Sequence, residues 1–334
     1  MLVMEQIKKM SLKSWLQWIL TFTLPLIIFL VPTPESFTHA MKLYSAITVL
    51  AIMTLIFELV NITIVGILLP VLYILFGVTT PKIAYSSYSS HIVWLVLGSF
   101  MIAQVLERVG LAKRIAYKCV LLGGASYRGI LFGLMGASVI LMLIVPSKVH
   151  FIMAPFCYSL VLALGLGKSK ASAGIMLTGA ASCSLAGLFL FGPNIVLMEE
   201  IGSAATGPIS LPWVGYITNN IPSIFYMVFI VFFFSIIFKP DKPLPGKQYF
   251  VEQAEKMGKL SRDEKKVTFV CVILFIALFT SSIHNIQIGW LFVTIAALLY
   301  LPGINVGTKE DLQKVNYGFV IFLASFFPYP FATA

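Results

Sequence analysis

The sequence predicts an all-α polytopic membrane protein with an inverted repeat, a re-entrant hairpin and a broken helix. Three observations lead there. Hydrophobic residues make up 59% of the 334-residue chain and charged residues only 11%, a balance that soluble domains of this length do not show. Apolar runs recur throughout, most of them long enough to cross or nearly cross a hydrocarbon core about 30 Å thick. Of the 23 Lys and Arg residues, Lys148 alone falls inside a hydrophobic span.

The apolar runs lie at about 15–31, 43–60, 62–77, 91–107, 171–197, 211–238, 267–283 and 285–301, with a last one from about 316. A further pair, 129–145 and 149–164, flanks Lys148. With a cytoplasmic N-terminus, the loops at 108–128, 165–170, 239–266 and 302–315 share the cytoplasmic side. Apart from Lys42, Lys82 and Lys148, every Lys and Arg lies in the N-terminus or in those loops. This is a strong positive-inside pattern and places the chain in the cytoplasmic (inner) membrane as a multi-pass protein. The net charge of +10 is thereby explained by topology, without a nucleic-acid partner. Parity alone leaves open whether 129–164 is a re-entrant hairpin or two full crossings.

Lys8, Lys9 and Lys13 precede an apolar run as in a signal peptide. No small-residue cleavage site follows and further spans do, so the segment is expected to be retained. Cys119, Cys157, Cys183 and Cys271 are scattered, without metal-ligand spacing or a disulfide framework, and read as small core residues.

The stretch 239–266, with Pro240, Pro243 and Pro245, reads as a cytoplasmic linker. It separates a first repeat at 1–238, containing the hairpin 129–164, from the start of a second at 267–334. The second echoes the first. Asn61-Ile62-Thr63-Ile64 corresponds to Asn285-Ile286-Gln287-Ile288, and Gly98-Ser99-Phe100 to Ala324-Ser325-Phe326. The span at 43–60 runs inward and its counterpart at 267–283 outward. That is the inverted-repeat transporter fold of many secondary transporters. The second repeat is incomplete: a full chain of this design needs roughly 100 or more further residues, because sites form between repeats. The terminal Phe327-to-Ala334 stretch also lacks the basic flank of a cytoplasmic end. The expectation is a truncated or split product.

Two elements carry the chemistry. In Val145-Pro146-Ser147-Lys148-Val149-His150, a charge at bilayer depth costs about 3 kcal/mol or more. Non-helical backbone there is tolerated only when it lines protein or a watery cavity. A cation on a broken helix reads as an anion site; the alternative is an exposed loop. In Gly192-Pro193-Asn194, Pro193 lacks a backbone donor and Gly192 permits unusual backbone angles. Together they can unwind the span and free polar groups for an ion or carboxylate, to which Asn194 adds an amide. The alternative is an ordinary kink or the span's end, with Glu199 and Glu200 close behind.

The order of these elements resembles the divalent anion/sodium symporter family, whose members carry dicarboxylates, citrate or sulfate. That family's re-entrant hairpin bears a Ser-Asn-Thr motif, often after Pro, and its broken helix a Pro-Asn motif. Pro146-Ser147 matches the start of the first and Gly192-Pro193-Asn194 the second. Phe189-Leu190 resembles the exchanger branch more than the sodium-coupled one. Gly98 to Ala103, Glu107 to Arg114 and Leu301-Pro302-Gly303 are supporting matches, so that the resemblance covers about 43–327. It implies transport of a small anionic substrate by exchange or sodium-coupled symport, no catalysis, and a homodimer when complete. It assigns substrate binding to Ser147, Lys148, Val149, Pro193 and Asn194, and an ion site to Ser147, Lys148, Gly192 and Asn194. No metal or organic cofactor is implied; sodium is the one candidate co-ion.

The departures are instructive. Lys148 stands at the motif's Asn position and Val149 at its Thr position. In the family that asparagine helps form the sodium and substrate sites. A lysine would put a fixed charge where a sodium ion sits and offset the substrate's charge itself, which suits an exchanger. His150 either adds a second, pH-dependent charge or caps the hairpin helix. Glu58 and Glu107, at cytoplasmic span ends, are expected to be structural, His284 to be solvated, and the five tryptophans to be mostly interface anchors. A membrane enzyme needs acid–base pairs or a metal cluster, and the spans hold no Asp and only edge-placed Glu. The remaining alternative is a non-functional fragment, or one completed by a separate polypeptide.

Overall fold

Several helices begin at a polar residue that caps their first turn. Ser11, Thr38, Asn61, Ser126, Ser169 and Ser261 each accept a hydrogen bond from a backbone N–H two or three residues on. Such caps satisfy donors that the first helical turn leaves free. The computed structural model describes residues 11–35, 37–124, 126–207, 209, 211–240 and 247–326, and among these there is no β-strand. Lys8, Lys9 and the terminal 327–334 stretch lie outside them.

The first half of the chain folds into α1 (Leu12–Leu30), α2 (His39–Ile56), α3 (Ile62–Leu75), α4 (Pro81–Ala84), α5 (His91–Val109), α6 (Leu111–Leu122), α7 (Tyr127–Ile144), α8 (Val149–Ala163) and α9 (Lys170–Ala186). The rest forms α10 (Pro193–Thr206), α11 (Trp213–Asn220), α12 (Ser223–Ile237), α13 (Lys247–Lys256), α14 (Arg262–Phe279), α15 (Ser281–His284), α16 (Ile288–Leu298), α17 (Lys309–Gln313) and α18 (Tyr317–Phe326).

Among the described residues, α1, α2, α5 and α7 are each long and apolar enough to cross a membrane, and α11 with α12 makes a fifth span if the bent pair counts as one. Phe151, Phe225 and Phe229 are 68%, 74% and 61% exposed, side chains that suit lipid rather than water. The chain is an all-α polytopic membrane protein.

Contacts gather the chain into two compact units, residues up to Val93 with those from Asn316, and Trp94–Val315. In the first, α1 packs on α2 and α3 on α18. Gly66 lets α3 and α18 touch through their backbones: a Cβ there would lie 2.8 Å from the Phe322 Cα. Tyr73 is fully buried and shares a 2.7 Å hydrogen bond with Thr48.

In the second unit, α7 packs on α6 and α9, and α9 also holds α8 and α12. Gly98 of α5 lies against α16, where a Cβ would be 2.6 Å from the Phe292 carbonyl carbon. Arg114 of α6 is buried and pairs with Glu264, Nε to Oε1 2.6 Å. Its NH groups also donate to the Met257 and Gly258 carbonyls at 2.8 Å. Arg108 pairs with Asp311 at 2.9 Å and donates to the Val306 carbonyl.

Several segments differ from expectation. Residues 108–128 are no plain loop. Leu111, Ala112, Ala116 and Val120 recur at helical spacing, and α6 buries that stripe against α7. The break expected at Gly192-Pro193 is longer than those two residues, since helix stops at Ala186 and restarts at Pro193. Residues 211–238 bend by 54° where Pro222 interrupts the ladder. Within 239–266, α13 packs on α6 with Phe250 fully buried.

Three smaller assignments also change. Trp213 is buried at 3% exposure and meets the Phe279 ring edge-on at 5.0 Å, so it is core rather than an interface anchor. His284 is bonded, not free: its Nδ1 accepts from Ile286 N–H and its Nε2 lies 2.9 Å from the Ala277 carbonyl. Asn61 caps α3 whereas Asn285 closes α15 at φ 53° and Gln287 stands at the start of α16; the two asparagines, matched in sequence, have different roles.

Candidate functional site

Pro146 breaks the first element. It cannot donate to the helical ladder and disfavours helix at the residue before it. Val145 accordingly leaves helical geometry at φ −138°, ψ 61°. The turn closes through Lys148 N–H to the Val145 carbonyl at 2.9 Å, and α8 starts at Val149. Lys148 occupies the N-cap position without a side-chain cap bond.

The second break runs from Gly187 to Gly192. Phe189, Leu190 and Phe191 are buried there, at 4–6% exposure. Tyr216 of α11 fixes the loop by donating to the Leu188 carbonyl at 3.0 Å and meeting the Phe191 ring at 5.5 Å. Gly192 is extended at φ −139°, and Pro193 opens α10, again with no side-chain cap. A proline at that position suits a helix start, where its missing N–H costs nothing.

The two breaks meet. A Cβ on Gly192 would lie 3.1 Å from Met142 Cε and 3.9 Å from Pro146 Cβ. The unwound segment of one element thus rests on the hairpin tip of the other, and the helix that follows each break starts without a side-chain cap. Free N–H groups at a helix start attract anions.

Lys148 lies beside this junction, half-buried, its Nζ 5.4 Å from the centre of the Phe100 ring and 5.9 Å from that of Phe151. Both distances fall within reach of a cation–π attraction. Among the described residues Lys148 has no direct ion pair. The Ser147 Oγ is buried and has no hydrogen-bond partner there. An unmet buried hydroxyl costs about 1–3 kcal/mol, so this group is poised for water or ligand.

The other expected site residues divide. Gly192 is buried, Pro193 half-buried, and Asn194 exposed at the first turn of α10. Val149 is fully buried, so its isopropyl group belongs to the core. His150 does not cap α8. Its Nε2 and the Ser184 Oγ of α9 share a 3.1 Å hydrogen bond. The bond docks the hairpin on α9.

Sequence reasoning missed three hydroxyls and a cavity. Ser99, Thr178 and Ser182 are fully buried, and among the described residues their oxygens find no partner. Thr178 and Ser182 share one face of α9, four residues apart. Ser99 contrasts with Ser325, matched to it in sequence, which donates to the Ile321 carbonyl at 2.9 Å; the shared Ser-Phe pair was the available signal. A cavity of about 300 Å³ opens between α5, α6 and α8, lined in part by Glu107, Lys113, Phe151, Ile152, Phe156 and Ser159. No periodicity in the sequence marks it, because its residues come from three helices.

Residues 12–326 match the family model of the sodium:sulfate symporter transmembrane region. A membrane protein of Cupriavidus necator is 24% identical over 313 residues, covering 86% of this chain and 61% of that protein. The sodium-dependent dicarboxylate transporter SdcS of Staphylococcus saprophyticus is 30% identical over 224 residues, or 62% of this chain and 42% of the relative. SdcS of Staphylococcus aureus is 25% identical over 223 residues, or 62% and 43%. The matches thus span about half the length of these curated relatives. With a family match over nearly all of its length, and with the paired breaks that its sequence foretold, the chain belongs to the sodium:sulfate symporter transmembrane-region family.

Proposed function

We propose that the chain serves secondary active transport of small divalent anions, di- or tricarboxylates foremost, across the cytoplasmic membrane, and not covalent catalysis. One observation carries the reading: the hairpin tip and the broken helix meet at Gly192 and Pro146, with Lys148 at the uncapped start of the hairpin's second helix. The names of the SdcS relatives support a dicarboxylate as the anion and sodium as a co-ion in the family.

In this reading Ser147 and Lys148 hold the anion from the hairpin side. Gly192, Pro193 and Asn194 shape the opposite wall, and Val149 supports the tip from the core. Lys148 takes the place of one sodium ion at the hairpin. Coupling then runs by anion exchange; symport with sodium held elsewhere is the alternative.

Two features support the wider architecture. The 15 residues of α8 reach about 22 Å, short of a bilayer core of about 30 Å, which favours a re-entrant hairpin with N-terminus and hairpin base cytoplasmic. The contact of α3 with α18 at Gly66 and that of α5 with α16 at Gly98 match as pairs under an inverted repeat, each joining an element of one copy to one of the other. A homodimer follows from the family resemblance alone.

The test is uptake of labelled succinate, citrate and sulfate by the purified chain in proteoliposomes, with and without sodium and with each anion preloaded. The expected result is uptake that needs preloaded anion and not sodium. Absence of both uptake and binding for all three anions would overturn the reading.

A further inference from the structure

We infer that Glu107 is the internal counter-charge of Lys148 and sets the site's preference between singly and doubly charged anions, an inference that rests on the transport site proposed above. Phe100 and Glu107 are seven residues apart on α5 and so share a face of that helix, about two turns apart. Lys148 lies over Phe100 at one end of this stripe. At the other end Glu107 lines the cavity together with Phe151, the second ring near Lys148. The Glu107 carboxylate lies within electrostatic range of Lys148 and of Lys314, yet among the described residues neither lysine makes a direct ion pair with it. Lys148 is therefore held by aromatic faces, with the Glu107 carboxylate in range of its charge but not paired to it.

The consequence is a matter of sign and valence. A carboxylate near the anion site repels the bound anion in proportion to the anion's charge. Glu107 thus subtracts from what Lys148 contributes, and subtracts twice as much for a dianion as for a monoanion. If its removal improves monoanion binding threefold, it improves dianion binding about ninefold. The charge-conserving change to Asp keeps the wild-type preference.

The experiment is calorimetric binding of succinate and of its monoamide to purified protein, comparing wild type, Glu107→Gln, Glu107→Asp, Lys148→Asn and the Lys148/Glu107 double variant. The expected result is tighter binding in Glu107→Gln, with the gain for succinate near the square of that for the monoamide, and wild-type values in Glu107→Asp. In the double cycle the two changes should be non-additive, as coupled charges are. Equal gains for both ligands, no gain, or the same gain in Glu107→Asp would overturn the role of Glu107. If succinate binding is absent in wild type, or is untouched by Lys148→Asn, it is the transport-site reading that fails.

Discussion

The Lys148 Nζ stands 5.4 Å from the centre of the Phe100 ring, so the one cation of the hairpin is held by a π-face rather than by a carboxylate. A cation–π contact of this kind is worth about 0.5–2 kcal/mol, less than a direct ion pair in the same surroundings. It keeps the charge in place without cancelling it, which is what an anion-binding lysine needs. Phe100→Leu should leave the fold intact and weaken succinate binding several-fold, as calorimetry would register. Unchanged affinity would mean that the ring does not position Lys148.

Gly192 is a second point of control. Its φ of −139° is open to any residue, so the glycine is required by space and not by backbone angle. A Cβ would meet the flexible end of Met142 at 3.1 Å, which can give way. Gly192→Ala should therefore bind anion within a few-fold of wild type, whereas Gly192→Val should push the broken helix off Pro146 and abolish binding. Equal binding by the two variants would show that the contact is not needed.

The Arg114–Glu264 pair ties α6 to the start of α14. Removing one member of a buried pair costs about 3–5 kcal/mol, so Arg114→Ala should lower the thermal unfolding midpoint in detergent by many degrees. The pH dependence has a definite sign. Burial alone would raise the Glu264 pKa, but the Arg114 and Ser261 hydrogen bonds outweigh it and hold the carboxyl below its usual value. Stability from this group is present above the unfolded-state pKa and is lost as pH falls through the depressed folded value. Acid sensitivity between those two values should shrink in Glu264→Gln; a midpoint that falls as steeply in that variant would assign the effect to another group.

Gly98 makes a purely structural prediction. A Cβ there collides with the Phe292 backbone at 2.6 Å, and backbone cannot swing aside. Gly98→Ala should destabilise the protein by about 1–3 kcal/mol, as overpacking does. A melting curve checks this, and an unchanged midpoint would mean that α5 and α16 separate at no cost.

The sequence revealed most where one residue type dictates local geometry. Pro146 and Pro193 each mark a break, and both breaks are present. What could not be read was which broken element touches which, because Gly192 and Pro146 stand 46 positions apart in the chain. The helix at Leu111–Leu122 was hidden by its charges: Lys113, Arg114 and Lys118 suggested a loop, although one of them, Arg114, is buried through an ion pair. That Glu107 lines the cavity was equally hidden, since the other lining residues lie mostly on other helices.

The most direct measurement of the central claim is succinate binding to wild type and Lys148→Asn, each in sodium and in choline buffer. At roughly 6 Å and an effective dielectric of about 20, one unit charge is worth about 3 kcal/mol, or more than a hundredfold in affinity. The account predicts that wild type binds equally in both buffers, and that Lys148→Asn binds at least tenfold more weakly in choline and recovers in sodium. Wild-type binding that requires sodium as strongly as the variant's does would contradict it.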